Sequence, residues 1–186
     1  MLNVAIILGS TRPNRLSEPI GLWVEAAAKK TEGWNVERVD LRDWPLPFYQ
    51  EAASVMQLKG EYSIDLAKEW SKKIASFDAY ILVTPEYNHG TSAVLKNALD
   101  YLYAEWNNKP VAFVGYGSVG GARAVEQLRL VAGELQMADI REAVHVANPW
   151  MLVKDGVFAA EEFHGKKLAA LIAQLDWWAK ALQAAR

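Results

Sequence analysis

The chain has no cysteine in its 186 residues. That excludes a disulfide scaffold, a cysteine-ligated zinc site and any thiol nucleophile. Charge of one sign is also scarce, since 20 basic and 22 acidic side chains leave a net −2. Such a balance offers no electrostatic footprint for nucleic acid. Nowhere do apolar residues run on for the roughly 18 positions a membrane span needs. The opening Met1–Gly9 is apolar but short, and it lacks the basic start of a secretory signal, so a cytoplasmic protein is expected. Only three histidines occur, with no dense His/Asp/Glu cluster, so no metal site is expected. Repeats, low-complexity tracts and linkers are missing too, which leaves one domain over residues 1–186. What is present is an ordinary globular balance, 52% apolar and 23% charged. A chain of this length buries about 70% of its unfolded surface without a covalent staple.

Asn3–Leu8 is a short, nearly continuous apolar run ending at Gly9, the pattern of a strand buried on both faces. Similar runs follow at Asn35–Leu41, Ala79–Thr84, Val111–Tyr116 and, more weakly, Glu142–Ala147. Between them the period turns helical. Ile20, Trp23, Val24 and Ala27 fall at i, i+3, i+4, i+7, and so do Leu95, Ala98, Leu99 and Leu102. Leu128, Val131, Ala132 and Leu135 repeat the spacing, as do Leu168, Leu171, Ile172 and Leu175, with a weaker version at Ala67, Trp70, Ser71 and Ile74. Alternating strands and helices imply right-handed βαβ units. The expected fold is α/β, a flavodoxin-like three-layer sandwich whose five-stranded parallel sheet has the order 2-1-3-4-5. One stretch, Arg42–Ser63, is irregular, and a connection of that length is usually functional or poorly ordered.

Ligands of such a sheet bind beyond the carboxyl ends of its strands, where strand order reverses. Three loops meet there. The first, Gly9-Ser10-Thr11-Arg12-Pro13-Asn14-Arg15-Leu16-Ser17, combines three hydroxyls, two guanidinium groups and the N–H groups of the next helix, a set suited to a phosphate. It also reads as a helix cap with solvated arginines. It is neither a Walker A loop nor GxGxxG. The second, Thr84-Pro85-Glu86-Tyr87-Asn88-His89-Gly90-Thr91-Ser92, precedes a helix expected over Ala93–Glu105. Its Gly90 permits an unusual backbone angle, and the loop can present N–H groups and the Tyr87 ring to a flat heterocycle. The plainer reading is a strand exit and turn, with Ser92 as N-cap. The third, Gly117-Ser118-Val119-Gly120-Gly121, allows close approach of backbone to a ligand plane, or is a plain β-to-α turn. His145 is read as a buried structural residue of its strand, and His164 as a surface residue near the last helix start.

These loops resemble the NADPH-dependent FMN reductase family, the flavodoxin-like quinone and azo-dye reductases. The likeness lies in Gly9-Ser10-Thr11-Arg12 with Arg15 and Ser17, then Pro85-Glu86-Tyr87-Asn88 followed by Leu95-Lys96-Asn97-Ala98-Leu99-Asp100, and the glycine loop at Gly117–Gly121. The resemblance implies FMN, its phosphate contacted by Ser10, Arg12, Arg15 and Ser17. Pro85, Glu86, Tyr87 and Asn88 would line the isoalloxazine, largely through backbone groups. Ser118, Val119, Gly120 and Gly121 would approach its other edge. It further implies hydride transfer from NADPH or NADH through FMN to quinones, azo compounds or free flavin in a ping-pong sequence, with no protein side chain named as catalytic. His89 would either touch flavin or substrate or be structural. A flavodoxin-type electron carrier and a redox-sensing regulatory flavoprotein are the alternatives. Partners would be small-molecule electron acceptors, with no nucleic acid and no membrane. The 8 tryptophans, and apolar Tyr101, Leu102, Tyr103 and Trp106 spread around the helix after the second loop, point to a homodimer or dimer of dimers. In that assembly Arg42–Ser63 would fold over the partner; as a monomer's mobile surface loop it would not.

Overall fold

The computed structural model describes the whole chain, Met1–Arg186. In chain order it runs β1 (Leu2–Leu8), α1 (Ser17–Ala28), β2 (Trp34–Asp40), α2 (Val55–Leu58), α3 (Asp65–Ala75), β3 (Ala79–Pro85) and α4 (Ala93–Asp100). It continues with β4 (Pro110–Gly117), α5 (Ala122–Glu134), β5 (Ala138–Ala147), α6 (Pro149–Leu152), β6 (Val153–Lys154), β7 (Val157–Phe158) and α7 (Glu162–Ala185). Strands β1 to β5 form one sheet in the order β2-β1-β3-β4-β5, and every neighbouring pair is parallel. This is the expected flavodoxin-like order. The small β6–β7 hairpin and the single turns α2 and α6 are too short to write a period into the sequence.

Alternation along the three central strands builds two cores, one on each face. Val4, Ile6, Leu8, Ile81, Val83, Ala112 and Val114 meet Ile20 and Val24 of α1 and Leu168, Leu171 and Leu175 of α7. Ala5, Ile7, Tyr80, Leu82, Val111 and Phe113 meet Trp70 and Ile74 of α3, Leu95 and Leu99 of α4, and Val125 and Leu128 of α5. Both sets are buried, which is why these strands read as unbroken apolar runs. The edge strands β2 and β5 alternate buried and open positions.

Helix α4 stops at Asp100, short of the expected Glu105. Continuation would require the Leu102 and Tyr103 amides to reach the Ala98 and Leu99 carbonyls. Instead, the buried indole N–H groups of Trp70 and Trp106 donate to those carbonyls at 2.9 and 3.2 Å. The chain then folds inward, so Tyr101, Leu102 and Trp106 are fully buried in this chain's own core. These aromatics therefore give no sign of a partner. Trp150, Trp177 and Trp178 are the open ones.

The Arg42–Ser63 strap is fastened along its length. Trp44, Leu46, Tyr49, Val55 and Leu58 pack on the α3/α4 core, with Trp44 against Trp70 at 5.0 Å. Asn97 of α4 accepts from Tyr49 N at 3.0 Å and donates to the Leu46 and Pro47 carbonyls at 3.3 and 2.8 Å. Glu51 receives the Ser63 amide and hydroxyl, and Tyr62 donates to Glu105 at 2.7 Å.

Two histidines differ from expectation. His145 sits on the open side of the edge strand, yet its Nδ1–H donates to the Gly120 carbonyl at 3.1 Å, so it is structural without being buried. His164 is buried. As the N3 residue of α7 its Nδ1 accepts the Glu161 amide in a capping box, which turns the ring inward onto Phe158.

Candidate functional site

The three loops converge at the carboxyl ends of β1, β3 and β4. Ser92 binds the first two together. Its Oγ caps α4 by accepting from Leu95 N at 3.2 Å and donates to the Gly9 carbonyl. Gly9 N in turn donates to Val83 O at 2.8 Å. At the top of the loops the Ser10 and Tyr87 hydroxyls meet at 3.1 Å, and the Arg12 guanidinium lies over the Tyr87 ring, 5.6 Å from its centre.

The first loop separates its two arginines. Arg12 is exposed and has no carboxylate partner among the ion pairs of the chain. Arg15 is buried beneath the loop, paired through both terminal nitrogens with Asp40 at the end of β2. It also donates to the Ser10 carbonyl at 2.9 Å and to Glu18 at 3.3 Å. Burial by itself would raise the Asp40 carboxyl, but hydrogen bonds from Arg15 and from Arg42 N outweigh it and hold Asp40 below the usual range. Arg42 grips the loop from outside by donating to the Thr11 and Arg12 carbonyls. Arg15 thus braces the loop from below, whereas the sequence suggested a group aimed at the ligand. Asp40 lies 25 positions away, and only the β1–β2 pairing brings it close.

Ser17 opens α1, and its buried hydroxyl leans on the Ser10 carbonyl at 3.5 Å. Two polar atoms buried in this cluster have no partner, Arg15 Nε and the Tyr116 hydroxyl. Tyr116, at the end of β4, was not among the expected site residues, because an aromatic in a buried strand reads as core.

The second loop turns tightly. Tyr87 and Gly90 exchange both backbone hydrogen bonds, at 2.9 and 3.0 Å, around Asn88 (φ 51°) and His89 (φ 71°). Two consecutive left-handed residues make a type I′ turn, so the unusual angles fall on Asn88 and His89 and not on Gly90. Pro85 has no N–H, and the Glu86 amide is taken by the Tyr116 carbonyl at 3.0 Å. The backbone donors left open are those of Asn88 and His89 at the tip. The Glu86 side chain faces away from the tip. It accepts from the Arg123 amide at 3.1 Å near the start of α5 and pairs with its guanidinium, which also reaches His89 Nε2 at 2.8 Å. The guanidinium donates there and His89 Nε2 accepts.

The glycines of the third loop answer to this chain's own backbone. A Cβ on Gly121 (φ 72°) would stand 2.5 Å from Tyr116 N, and one on Gly120 (φ 72°) 2.8 Å from His145 Cβ. Ser118 and Val119 form the open tip. Beside the first loop, the strap and α4 enclose a cavity of about 420 Å³, walled by Trp44, Pro45, Pro47, Phe48 and Val94.

The chain matches the family described as NADPH-dependent FMN reductase over residues 2–150. It is 43% identical over 134 residues to NAD(P)H-dependent FMN reductase C4B3.06c of Schizosaccharomyces pombe, covering 72% of this chain and 67% of that protein. It is 28% identical over 182 residues to an NAD(P)H:quinone oxidoreductase of Solanum tuberosum, covering 93% and 91% of the two chains. Among solved structures, the flavoenzyme NAD(P)H:(acceptor) oxidoreductase FerB of Paracoccus denitrificans superposes with a TM-score of 0.73 at 25% identity, over 97% and 98% of the two chains. The chain belongs to the NADPH-dependent FMN reductase family, and is an oxidoreductase working with FMN and NAD(P)H.

Proposed function

We propose that FMN lies across the carboxyl ends of β1, β3 and β4, and that the enzyme uses it to pass electrons from NADPH or NADH to quinones, azo compounds or free flavin. One observation carries the reading. The start of α1 gathers an exposed guanidinium without a carboxylate, two serine hydroxyls, and two buried donors without partners. What such a set lacks is an anion with several acceptor oxygens, which is the chemistry of a phosphate monoester. Ser10, Arg12 and Ser17 would hold it, with Arg15 shaping the loop around it. Tyr87 and the open amides of Asn88 and His89 would meet one side of the ring system, Pro85 and Glu86 setting the turn. Ser118 and Val119 would meet another edge, Gly120 and Gly121 letting the loop lie close to β4 and β5.

Bound FMN supplies the redox step, taking hydride from the nicotinamide and releasing two electrons to the acceptor, the two substrates using one face in turn. The protein binds, orients and tunes. Quinone acceptors have support in the relatives named as quinone reductases. Reduced nicotinamide is supplied in the cytoplasm, which is the setting this reading implies. We further read the working form as a homodimer or dimer of dimers, supported by Phe48, which is 78% exposed at the rim of an apolar cavity beside the first loop.

The decisive experiment starts with the visible spectrum of the purified protein and the identity of the flavin released by heating. NADPH oxidation with a benzoquinone acceptor follows, for the wild type and Arg12→Ala. Oxidised-flavin bands, released FMN, parallel double-reciprocal lines and weaker FMN binding by the variant are expected. Intersecting lines overturn the shared face, and unchanged FMN affinity in Arg12→Ala overturns the phosphate assignment. A scattering mass near 20.7 kDa in fully active enzyme overturns the dimer.

A further inference from the structure

The α3/α4 core holds a file of oxidisable rings. Trp44 of the strap packs on Trp70 of α3 with ring centres 5.0 Å apart, Trp70 on Trp106 at 6.5 Å, and Trp106 on Tyr80 of β3 at 4.9 Å. Trp70, Trp106 and Tyr80 are wholly buried. The outer end is open, because Trp44, with Thr11 and Arg42, walls the cavity of about 420 Å³ beside the first loop. The inner end is closed by Phe77, 6.3 Å from Tyr80, whose benzyl ring resists oxidation. Tilted pairs at these spacings pack well whatever their redox chemistry. What sets this file apart is the fate of its electrons and protons. In a chain without cysteine, indole and phenol are the side chains that most readily give up a single electron. The indole N–H groups of Trp70 and Trp106 face the Ala98 and Leu99 carbonyls at 2.9 and 3.2 Å. A carbonyl is too weak a base to take their protons, so an oxidised indole here stays a cation and passes its charge on. Tyr80 differs. Its phenol donates to the Ile74 carbonyl at 2.8 Å and accepts from Lys109 Nζ at 3.2 Å, an amine able to receive a proton when neutral. Lys109 is itself buried, and its other partners are the Ile74 and Ala75 carbonyls.

We propose that Trp44, Trp70, Trp106 and Tyr80 form a chain that conducts single electrons outward from the core, discharging a one-electron oxidant in the strap cavity and leaving the radical on Tyr80. The light-excited oxidised flavin is an oxidant of this class. Its part rests on placing FMN beside the first loop; the chain itself does not. The oxidant takes one electron from the Trp44 indole. Trp70 refills Trp44, Trp106 refills Trp70, and Tyr80 refills Trp106. As Tyr80 loses its electron, its O–H bond breaks and the proton passes to the Lys109 amine. The balance is one electron gained by the oxidant, one phenoxyl radical and one ammonium. Tyr80 stands near the start of β3, at the opposite end of the strand from the second loop, so the radical ends far from the ligand loops. Burial raises the Tyr80 phenol well above its ordinary pKa, so no phenolate forms beforehand. Desolvation lowers Lys109 to about 8, so neutral amine is at hand from that pH upward. The other charged groups facing the pair are Asp78 and Arg186, joined at 2.8 Å, and Glu105, which binds Tyr62 and Ser71.

The first arm of the test uses flavin-free protein and azide radicals from pulse radiolysis, which oxidise accessible indoles. The indolyl band should decay into a phenoxyl band at a rate independent of protein concentration. Tyr80→Phe, which keeps the ring, should lose that phenoxyl component, and so should Trp70→Phe. Trp177→Phe, on the open side of α7, should keep it. The wild-type rate should climb as the pH passes about 8, and the climb should vanish in Lys109→Met. Urea midpoints establish that each variant folds; if Trp70→Phe does not, Tyr80→Phe decides alone. A phenoxyl component undiminished in folded Tyr80→Phe or Trp70→Phe overturns the proposal. A wild-type rate flat with pH overturns Lys109 as the proton acceptor. The second arm flashes FMN-loaded protein with blue light and follows the same band in wild type and in Trp44→Phe, where it should be lost. If the first arm succeeds and the flash gives the same result in both proteins, the link to the flavin is overturned and the chain stands. If the first arm fails, only this inference falls, and FMN binding by Arg12→Ala still decides the phosphate assignment.

Discussion

Asp40→Asn tests the division of labour between the two arginines of the first loop. Asp40 takes both terminal nitrogens of Arg15, whose side chain is 2% exposed, and is itself 22% exposed. Removing one partner of a buried pair leaves a charge without compensation, at a cost of about 3–5 kcal/mol. Glu18 remains 3.3 Å from Arg15, and Asp40 is partly wetted, so the lower end applies, about 3 kcal/mol. For a chain of this size that is roughly a 6–12 °C fall in Tm. In urea the midpoint should drop with the slope unchanged, since no additional surface is exposed. The pH dependence has a definite sign. Asp40 is held below its ordinary pKa, so its contribution is present above about pH 4 and is lost as the pH falls through the native value. The variant should lack that part of the acid limb. FMN titration then reads the function. If Arg15 shapes the loop, Asp40→Asn weakens FMN binding, because the Ser10 carbonyl and the α1 start lose their brace. If Arg15 is itself a phosphate ligand, freeing it from Asp40 strengthens FMN binding or leaves it unchanged. That second result, or a Tm within about 2 °C of wild type, less than 1 kcal/mol, would refute the reasoning.

Other expectations follow from the same geometry. Gly121→Ala combines a left-handed backbone with a 2.5 Å approach to Tyr116 N, and should destabilise by about 3 kcal/mol in urea melts. Gly133→Ala, in the last turn of α5 with nothing within 4 Å, should gain up to about 0.5–1 kcal/mol, and equal effects at the two sites would contradict both accounts. Asn97→Ala removes three hydrogen bonds to the strap and should cost about 1–3 kcal/mol, visible as faster amide exchange at residues 46–53 while the sheet stays protected. Lys109, buried against the α3 carbonyls and Tyr80, has its pKa lowered to about 8, chiefly by desolvation. Its charged form is penalised below that pH, and the penalty is relieved on the way up to the unfolded value. Wild type should therefore gain about 2 kcal/mol on Lys109→Met between about pH 8 and pH 10. A difference that stays flat with pH would mean that Lys109 titrates normally.

The five strands, their order and the three loops at the reversal point were readable from residue pattern. Strands β1, β3 and β4 are buried on both faces, so each writes a continuous apolar run, and each intervening helix writes its own period. Ser92 as the cap of α4 follows from local chemistry, since a cap bonds an amide three residues on. The end of α4 was misjudged because what stops it is not local. Indole groups from positions 70 and 106 occupy the carbonyls that the next turn needs.

Residue order thus carried whatever depends on neighbours a few positions apart: period, caps, the loops, and the residue types suited to a phosphate and a flat ring. Tertiary structure alone decided which of those residues are free to act. Arg12 and Arg15 look alike in the first loop, and strand pairing gives one of them an anionic partner 25 positions away. The hydroxyl of Tyr116 looks like core, and reaches the loop only because the sheet sets β4 next to β3 and β3 next to β1. A one-dimensional pattern records how often a side chain faces the core. It does not record which distant group waits there, and hydrogen-bond and charge satisfaction depend on that group.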